Sequence, residues 1–489
     1  MPGALAAFLV FICSGTILML EILAGRLLAP YVGVSLNTWT AIIGTVLAAI
    51  ALGAWGGGKL ADRVDPRRLL GPVIMLGGVT ALATVPMVRT FGPTGPSAGS
   101  VGSVVLISMT GFFLPAVVLS AAHPMVAKLQ LHDLGHTGGV VGWLSGIATL
   151  GALVGTFATG FLLVATIPTK TLIYCIGGFL ALLGLAVWWS LSRVGIPAVA
   201  FLLVLAGLAG TAAAQTEVPC DRESPYFCIR VEESLFQDGG RTLWLDNGRH
   251  SYVDLDDPSY IEFDYIQSFA DVVEASYPDG APVDALHVGG GGFTFPRYLD
   301  ATRPGARNTV FELDQAVFDT AREELGLRTS RDLRVRIGDG RLLIRGRAAN
   351  SVDIVVGDAF NSLSVPWHLT TREFIADIDR VLRADGVYMM NIIDEPPFRF
   401  ARAELATLQE RFEHVALIAD AGQLAGVYGG NLVLVGSHRP LEAAALRELT
   451  SVRSDRVTEG AELQEFIRRA KVLTDDFAPV DQWLAQNDN

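Results

Sequence analysis

The sequence predicts a multi-span α-helical membrane domain followed by an α/β Rossmann-like domain with a small β lead-in. Over its first 215 or so residues the chain is a succession of long apolar runs; from Phe227 onward, short apolar strands alternate with charged helices. Charge divides at the same place. Residues 1–214 hold nine Lys or Arg against four Asp or Glu, a net of +5, so the remaining 275 residues carry −18 against an overall −13. At 489 residues two domains are expected. The chain divides into a transmembrane domain of about seven helices (1–215), a linker and β lead-in (216–260) and the α/β domain (261–489). An acidic domain of this kind repels nucleic acid and tolerates cationic small molecules.

A bilayer core takes about 20 apolar residues per helix. Seven runs qualify: Leu5–Leu23, Thr38–Trp55, Leu69–Val88, Val101–Val126, Val140–Ile167, Leu172–Leu191 and Pro197–Ala214. The first lacks the basic flank of a signal peptide, and Glu21 interrupts its end. Glycines 142, 146, 151, 155 and 160 suit close helix contact. Glu21, Arg26 and His123 suit either a transport path or, the favoured reading, two interfacial residues and a histidine bonded to a neighbouring helix.

Orientation follows from basic residues. Lys59, Arg63, Arg67 and Arg68 sit in one loop, joined on that side by Lys128 and Arg193, against Arg26, Arg89 and Lys170 on the other. Seven spans then put the N-terminus inside and the α/β domain outside the cytoplasm of a multi-pass cell-membrane protein. Cys13 and Cys175 lie in apolar runs and read as small core residues. Cys220 and Cys228, eight residues apart after the last run, suit either a disulfide in an oxidising compartment or two thiols in a reducing one.

In the second half, Ile229–Val231 and Thr242–Leu245 read as strands of the lead-in, with a turn at Asp246-Asn247-Gly248. Tyr260–Ser276 is an amphipathic helix. Strands follow at Asp284–Val288, Thr309–Leu313, Leu333–Ile337, Val352–Val356 and Gly386–Ile392, with helices at Phe295–Asp300, Ala316–Glu324 and Thr371–Leu382. Such alternation predicts a parallel, doubly wound sheet.

Ligands of these sheets bind beyond the carboxyl ends of the strands, and four chemically loaded positions fall there. They are Gly289, Gly290 and Gly291 with Gly292, where bare backbone admits a ligand; Glu312, about 20 residues on, where a carboxylate holds ribose hydroxyls; Asp339 with Gly340; and Asp358. Each aspartate taken singly also suits a helix N-cap. Together they point to a nucleoside site. No metal-ligand pattern stands out.

These residues resemble the spermidine synthase family, polyamine aminopropyltransferases built on the AdoMet-dependent methyltransferase-like fold. The resemblance runs over Arg230–Asn391 and rests on Leu245-Asp246 with His250-Ser251, the helix around Tyr265, the glycine loop, Phe311-Glu312-Leu313-Asp314, Gly338-Asp339-Gly340 and Asp358. The membrane half and the tail Leu473-Thr474-Asp475-Asp476-Phe477-Ala478-Pro479-Val480-Asp481 resemble the fused membrane form of that family.

The resemblance implies that Glu312 binds ribose, that Asp339 accepts from the adenine amino group, and that His250 lies against the nucleoside. It also implies that Asp358 is the general base, and that Tyr265 and Asn361 face the acceptor. No cofactor is held permanently; decarboxylated AdoMet, or AdoMet, is the expected co-substrate, a polyamine the expected acceptor, and a homodimer the expected assembly. The sequence departs from the family pattern at several points: Gly292 replaces an aspartate that holds the donor's amino group, Asn361 and Ser362 replace the second aspartate and the proline of the Asp-x-x-Asp-Pro motif, His250 replaces a glutamine, and Tyr265-Ile266-Gln267 stands for a Tyr-His-Glu stretch. An aminopropyltransferase is therefore the first expectation, ahead of an AdoMet-dependent methyltransferase and of a non-catalytic nucleoside- or polyamine-binding transporter or sensor.

Overall fold

The computed structural model describes residues 1–92, 101–131, 137–191, 207, 211, 219–361 and 364–485, and divides into two units, Met1–Cys228 and Ile229–Asn489. Among the described residues of the first, six helices are long and apolar enough to cross a bilayer: α1 (Gly3–Val32), α2 (Leu36–Arg63), α3 (Pro66–Phe91), α4 (Gly102–Gln130), α5 (Thr137–Thr166) and α6 (Thr169–Leu191). Each contains most of one expected run. The seventh run, Pro197–Ala214, lies outside the described residues apart from Gly207 and Thr211.

Among the described residues three helix pairs close on glycine, one of them α2 on α4, where a Cβ at Gly53 or Gly57 would overlap the backbone of Val117 and Ala121. A Cβ at Gly151 or Gly155 of α5 would overlap the carbonyl oxygens of Phe11 and Gly15 in α1, and Gly78 and Gly184 bring α3 and α6 together in the same way. Small residues let backbones approach where hydrophobicity alone gives lipid and protein equal claim on a side chain. Among the described residues nothing lies within 4 Å of a Cβ at the other three glycines, Gly142, Gly146 and Gly160. At the basic loop, Asp65 caps α3, and Lys128 Nζ reaches Asp62 and the Ala61 carbonyl, each at 2.9 Å. The end of α4 thus lies beside the α2–α3 turn, at one end of the helix bundle. Cys220 and Cys228 are joined in a disulfide, with a Cα–Cα distance of 5.2 Å.

In the second unit β1 (Cys228–Glu233), β2 (Gly240–Leu245) and β3 (Gly248–Asp254) pair antiparallel. Asp246, at φ 54°, and Asn247 turn the chain between β2 and β3. Helix α7 (Asp264–Ser276) leads into an eight-stranded sheet formed by β4 (Asp284–Val288), β5 (Arg307–Glu312), β6 (Leu333–Ile337), β7 (Val352–Gly357), β8 (Leu382–Asp394), β9 (His414–Asp420), β10 (Gly430–Ser437) and β11 (Asp455–Thr458), in the order β11-β9-β10-β8-β7-β4-β5-β6.

The five strands β4 to β8 are parallel, as expected. The sheet is nevertheless mixed: β10 pairs antiparallel with β8, and β9 with both β10 and β11. The cause is local. Only nine residues (421–429) separate β9 from β10, too few for the crossover that a parallel pair requires.

Alternate side chains of the central strands serve opposite faces. Val355, Tyr388 and Met390 pack with Phe374 and Ile378 of α11 (Arg372–Val381) and Phe400 of α12 (Arg399–Leu408). Ile354, Val356 and Met389 pack with Phe269 and Val273 of α7 and Leu299 of α8 (Thr294–Thr302). With both faces covered, the free positions are the strand ends, and the register gathers them. Val288 pairs with Phe311 and with Gly357, Glu312 with Ile337, and Gly357 with Met390. Gly289, Glu312, Gly338-Asp339, Asp358 and Asn391 therefore emerge along one edge.

Candidate active site

The glycine loop is shaped by its neighbours. Gly289 adopts φ 101°, and a Cβ there would overlap the Asp358 carbonyl oxygen, so β4 and β7 can run out side by side only over glycine. Glu312 braces the loop from the next strand: Oε2 accepts from the Gly290 and Gly291 N–H groups at 2.9 and 3.2 Å, and Oε1 from that of Asp314 at 2.9 Å. Burial raises the Glu312 pKa against the pull of these three donors. A carboxylate has about four lone-pair directions, so one remains for a ligand hydroxyl.

Gly292 has a physical reason to be glycine. Its N–H donates to Ser251 Oγ at 2.8 Å, and a Cβ at this position would stand 2.6 Å from the Ser251 Cβ. The lead-in strand β3 thus fills the space that a longer side chain would need. Gly340 is confined similarly, its would-be Cβ lying 2.6 Å from Val288 Cγ1.

Asp358 follows β7 and is half-buried. Tyr265 of α7 donates its hydroxyl to Oδ2 at 3.1 Å, and Asn391 Nδ2 donates to Oδ1 at 2.9 Å. Asn431 Nδ2 in turn donates to Asn391 Oδ1 at 3.0 Å, fixing the amide's orientation. Removal from water pushes the Asp358 carboxyl up to about 6, while the two hydrogen bonds pull it down. A carboxylate poised there is ionised at neutral pH yet basic enough to take a proton from a reacting amine.

Tyr265 and Asp358 were both expected at the site, and the structure joins them. Asn391 was missed, although a lone amide among Met389, Met390, Ile392 and Ile393 was a visible signal. Buried at 1% exposure, it has to bond something.

Asp339 plays the capping role that its sequence context also allowed. Its Oδ1 accepts from the Leu342 N–H at 2.9 Å at the start of α10 (Gly340–Arg345), while Oδ2 meets His368 Nε2 at 3.0 Å. His368 carried no sequence signal, because it approaches from a loop 29 residues further on. His250 lines the cleft with its ring folded toward Gly248, and burial lowers its pKa to about 4, so it is neutral. Asn361 is exposed, in an isolated bridge with Ser364, and is not among the cleft-lining residues.

The cleft in front of Asp358 has a volume of about 580 Å³. One end is formed by Gly290, Gly291, His250 and Ser251; the far wall comes from the antiparallel strands and includes Asp420, Tyr428, Asn431 and Asp455. Its guanidinium groups are engaged: Arg249 contacts Glu262 at 3.4 Å, and Arg453 binds Asp271 and Asp455. Glu262, Asp264, Asp358, Asp420 and Asp455 outnumber them, so the lining is negative.

No family model matches the chain. It is 32% identical over 112 residues to the polyamine aminopropyltransferase of Vibrio vulnificus (strain CMCP6), covering 22% of this chain and 38% of that protein. To the polyamine aminopropyltransferase of Moorella thermoacetica it is 31% identical over 133 residues, covering 26% and 46%. The chain therefore spans less than half the length of these two relatives. A probable spermidine synthase from Corynebacterium glutamicum superposes with a TM-score of 0.50 at 28% identity, over 53% of this chain and 97% of that one. The expected resemblance thus holds in both sequence and structure: the α/β unit has the spermidine synthase fold, and the proteins it is similar to are polyamine aminopropyltransferases.

Proposed function

We propose that the chain is a membrane-bound aminopropyltransferase that moves the aminopropyl group of decarboxylated AdoMet to a polyamine such as putrescine. The observation that carries this reading is Asp358, held by Tyr265 and Asn391 at the mouth of the glycine loop with its carboxyl near 6. An amine nitrogen attacks the methylene carbon beside the sulfonium. The C–N bond forms as the C–S bond breaks, the electron pair stays on sulfur to give methylthioadenosine, and the ammonium proton passes to Asp358. Glu312, Asp339 and the glycine loop hold the nucleoside; positioning supplies much of the remainder, since the sulfonium is already a good leaving group. The negative lining suits a polycationic acceptor.

A second reading, an AdoMet-dependent methyltransferase, draws support from Gly292, where Ser251 leaves no room for a carboxylate to hold the donor's amino group. A non-catalytic binder has no use for a base poised near neutrality. Calorimetry of the full chain in detergent with methylthioadenosine, AdoMet and its decarboxylated form separates these readings. Preference for the decarboxylated donor, with putrescine-dependent turnover lost in Asp358→Ala, supports the transferase. Preference for AdoMet selects the methyltransferase, and no nucleoside binding leaves the transporter or sensor.

We further propose that the α/β unit lies outside the cytoplasm, as the charge count and the Cys220–Cys228 bond suggest. Labelling of these cysteines by an impermeant thiol reagent in intact cells only after reduction supports this; labelling only after permeabilisation refutes it. Dimerisation belongs to the same proposal and is read from the mass of the protein in detergent.

A further inference from the structure

The tail that resembles the fused family form, Leu473–Asp481, takes no part in the chemistry proposed above, yet it is tied to the base side of the site. Asp475 receives two parallel bonds from Arg341, Nη1 to Oδ1 and Nη2 to Oδ2, each 2.7 Å, and a third at 2.7 Å from Thr371 Oγ1. Its own N–H donates to Glu373 at 3.0 Å, and the Arg372 N–H donates to the Leu473 carbonyl at 3.0 Å. Arg341 is nearly buried and lies two residues beyond Asp339 in the chain. Its Nη1 also donates to the His368 carbonyl at 3.0 Å, and the His368 ring meets Asp339 Oδ2 at 3.0 Å. Tail, helix and loop thus close a ring: Asp475, Arg341, His368, Asp339.

We propose that His368 is a base-reading residue of the nucleoside site and that Asp475 is the positioning residue that sets it there; this rests on the reading of Asp339 as the acceptor for the adenine amino group. A carboxylate only accepts, so His368 Nε2 carries the hydrogen of its bond to Asp339. The Leu342 N–H holds Oδ1 and His368 holds Oδ2, so the carboxylate plane is pinned at both oxygens. The pinned group keeps fixed lone-pair directions for an exocyclic amine. A 6-oxopurine presents a carbonyl there instead, oxygen against oxygen. A carboxylate free to turn relieves that clash by accepting from the base's N1–H. The side chains of Asp339 and His368 are 32% and 31% exposed, so a base can reach both. Discrimination between 6-amino and 6-oxo purines therefore depends on His368, and on Asp475 through Arg341.

The test is the affinity ratio of methylthioadenosine to methylthioinosine for the full chain in detergent, in wild type, His368→Ala, Asp475→Asn and the double variant. Losing one hydrogen bond to a charged group lowers the ratio in His368→Ala by about tenfold. Asp475→Asn lowers it in the same direction, and the double variant falls no further than His368→Ala alone. Asp475→Glu, which keeps a charge opposite Arg341, serves as the second tail variant should the asparagine form fail to fold, and it too shifts the ratio. A ratio unchanged in His368→Ala, or tail variants that weaken both nucleosides equally, overturns the proposal while the nucleoside site stands. A wild-type chain that binds neither nucleoside overturns the parent reading instead.

Discussion

The sharpest prediction concerns the acid limb of the pH profile. Asp358 is lifted to about 6 by burial and held from rising further by two donors, Tyr265 at 3.1 Å and Asn391 at 2.9 Å. Tyr265→Phe deletes one donor and keeps the ring, which packs edge-on to Phe269 at a centroid distance of 5.7 Å and tilted against Phe263 at 5.9 Å. A hydrogen bond to a charged group contributes about 1.5–3 kcal/mol, and one pKa unit is about 1.4 kcal/mol; with part of the loss recovered by water, a rise of about one unit follows. The ionised form is the base, so activity is lost as pH falls through this pKa, and raising the pKa moves the limb upward. At pH 6.5 a shift from about 6 to about 7 lowers the active fraction about threefold, whereas at pH 8.5 the variant nearly matches wild type. The assay is amine-dependent release of methylthioadenosine as kcat/KM across pH. Any limb belonging to the free amine is common to both proteins and cancels in their comparison. Asn391→Ala, which removes the shorter bond, moves the limb at least as far. A limb that stays put or moves down in both variants refutes Asp358 as the titrating base.

Other consequences are equally direct. Because burial lifts the folded-state pKa of Asp358 from its ordinary 3.8 to about 6, its charge opposes folding at neutral pH by at most about 3 kcal/mol. Asp358→Asn therefore melts higher than wild type at pH 7.5, and the gain fades as pH falls through about 6 toward 4; a lower melting point at pH 7.5 contradicts this. Gly292→Asp, which adds the carboxylate that the resemblance to spermidine synthases implies at this position, meets the Ser251 Cβ and costs about 1–3 kcal/mol of stability, part of it recovered by Ser251→Gly, as thermal melts will show. In the membrane unit, Gly151→Val separates α1 from α5 and lowers the melting temperature in detergent. Gly146→Val, on the same helix with no described residue within 4 Å of its Cβ, does not; equal losses would refute the packing assignment.

The long apolar helices were legible because their signal is one of length and composition, which tertiary packing does not alter. The chemically loaded strand ends were legible for a related reason: in parallel strands the carboxyl ends share one edge, so Gly289, Glu312, Asp339 and Asp358 could be grouped without any knowledge of register. What lay hidden was whatever depends on antiparallel or loop approach. Asn391 sits within a strand that was foreseen and reaches Asp358 through the parallel register, but the orientation of its amide is fixed only because β10 sets Asn431 against it. His368 reaches Asp339 from a loop whose path no periodicity encodes. Composition likewise reports that a helix can be approached closely, not which face its neighbour occupies: of the five glycines expected at contacts, Gly151 and Gly155 meet α1 and the other three meet no described residue.

The same division bears on the proposed site, whose two halves rest on different parts of the sheet. The nucleoside half is bound into the parallel sheet: the Gly289 backbone touches Asp358, Glu312 holds the loop through its N–H groups, and Gly340 lies on Val288, so a substitution there disturbs strand packing as well as ligand contact. The acceptor half draws its far wall from β9 to β11 and the segments around them, where Asp420, Tyr428 and Asp455 can change without disturbing the central strands. Gly292 lies on the boundary, filled from the lead-in by Ser251. Variation in acceptor should therefore be sought in the antiparallel wall. Asp420→Ala and Asp455→Ala should change which amine is used, seen as KM differences between diamines of unequal length, and leave methylthioadenosine affinity within about twofold. Loss of nucleoside binding in both would mean that the two halves are not separable, and the division drawn from the sheet would fail.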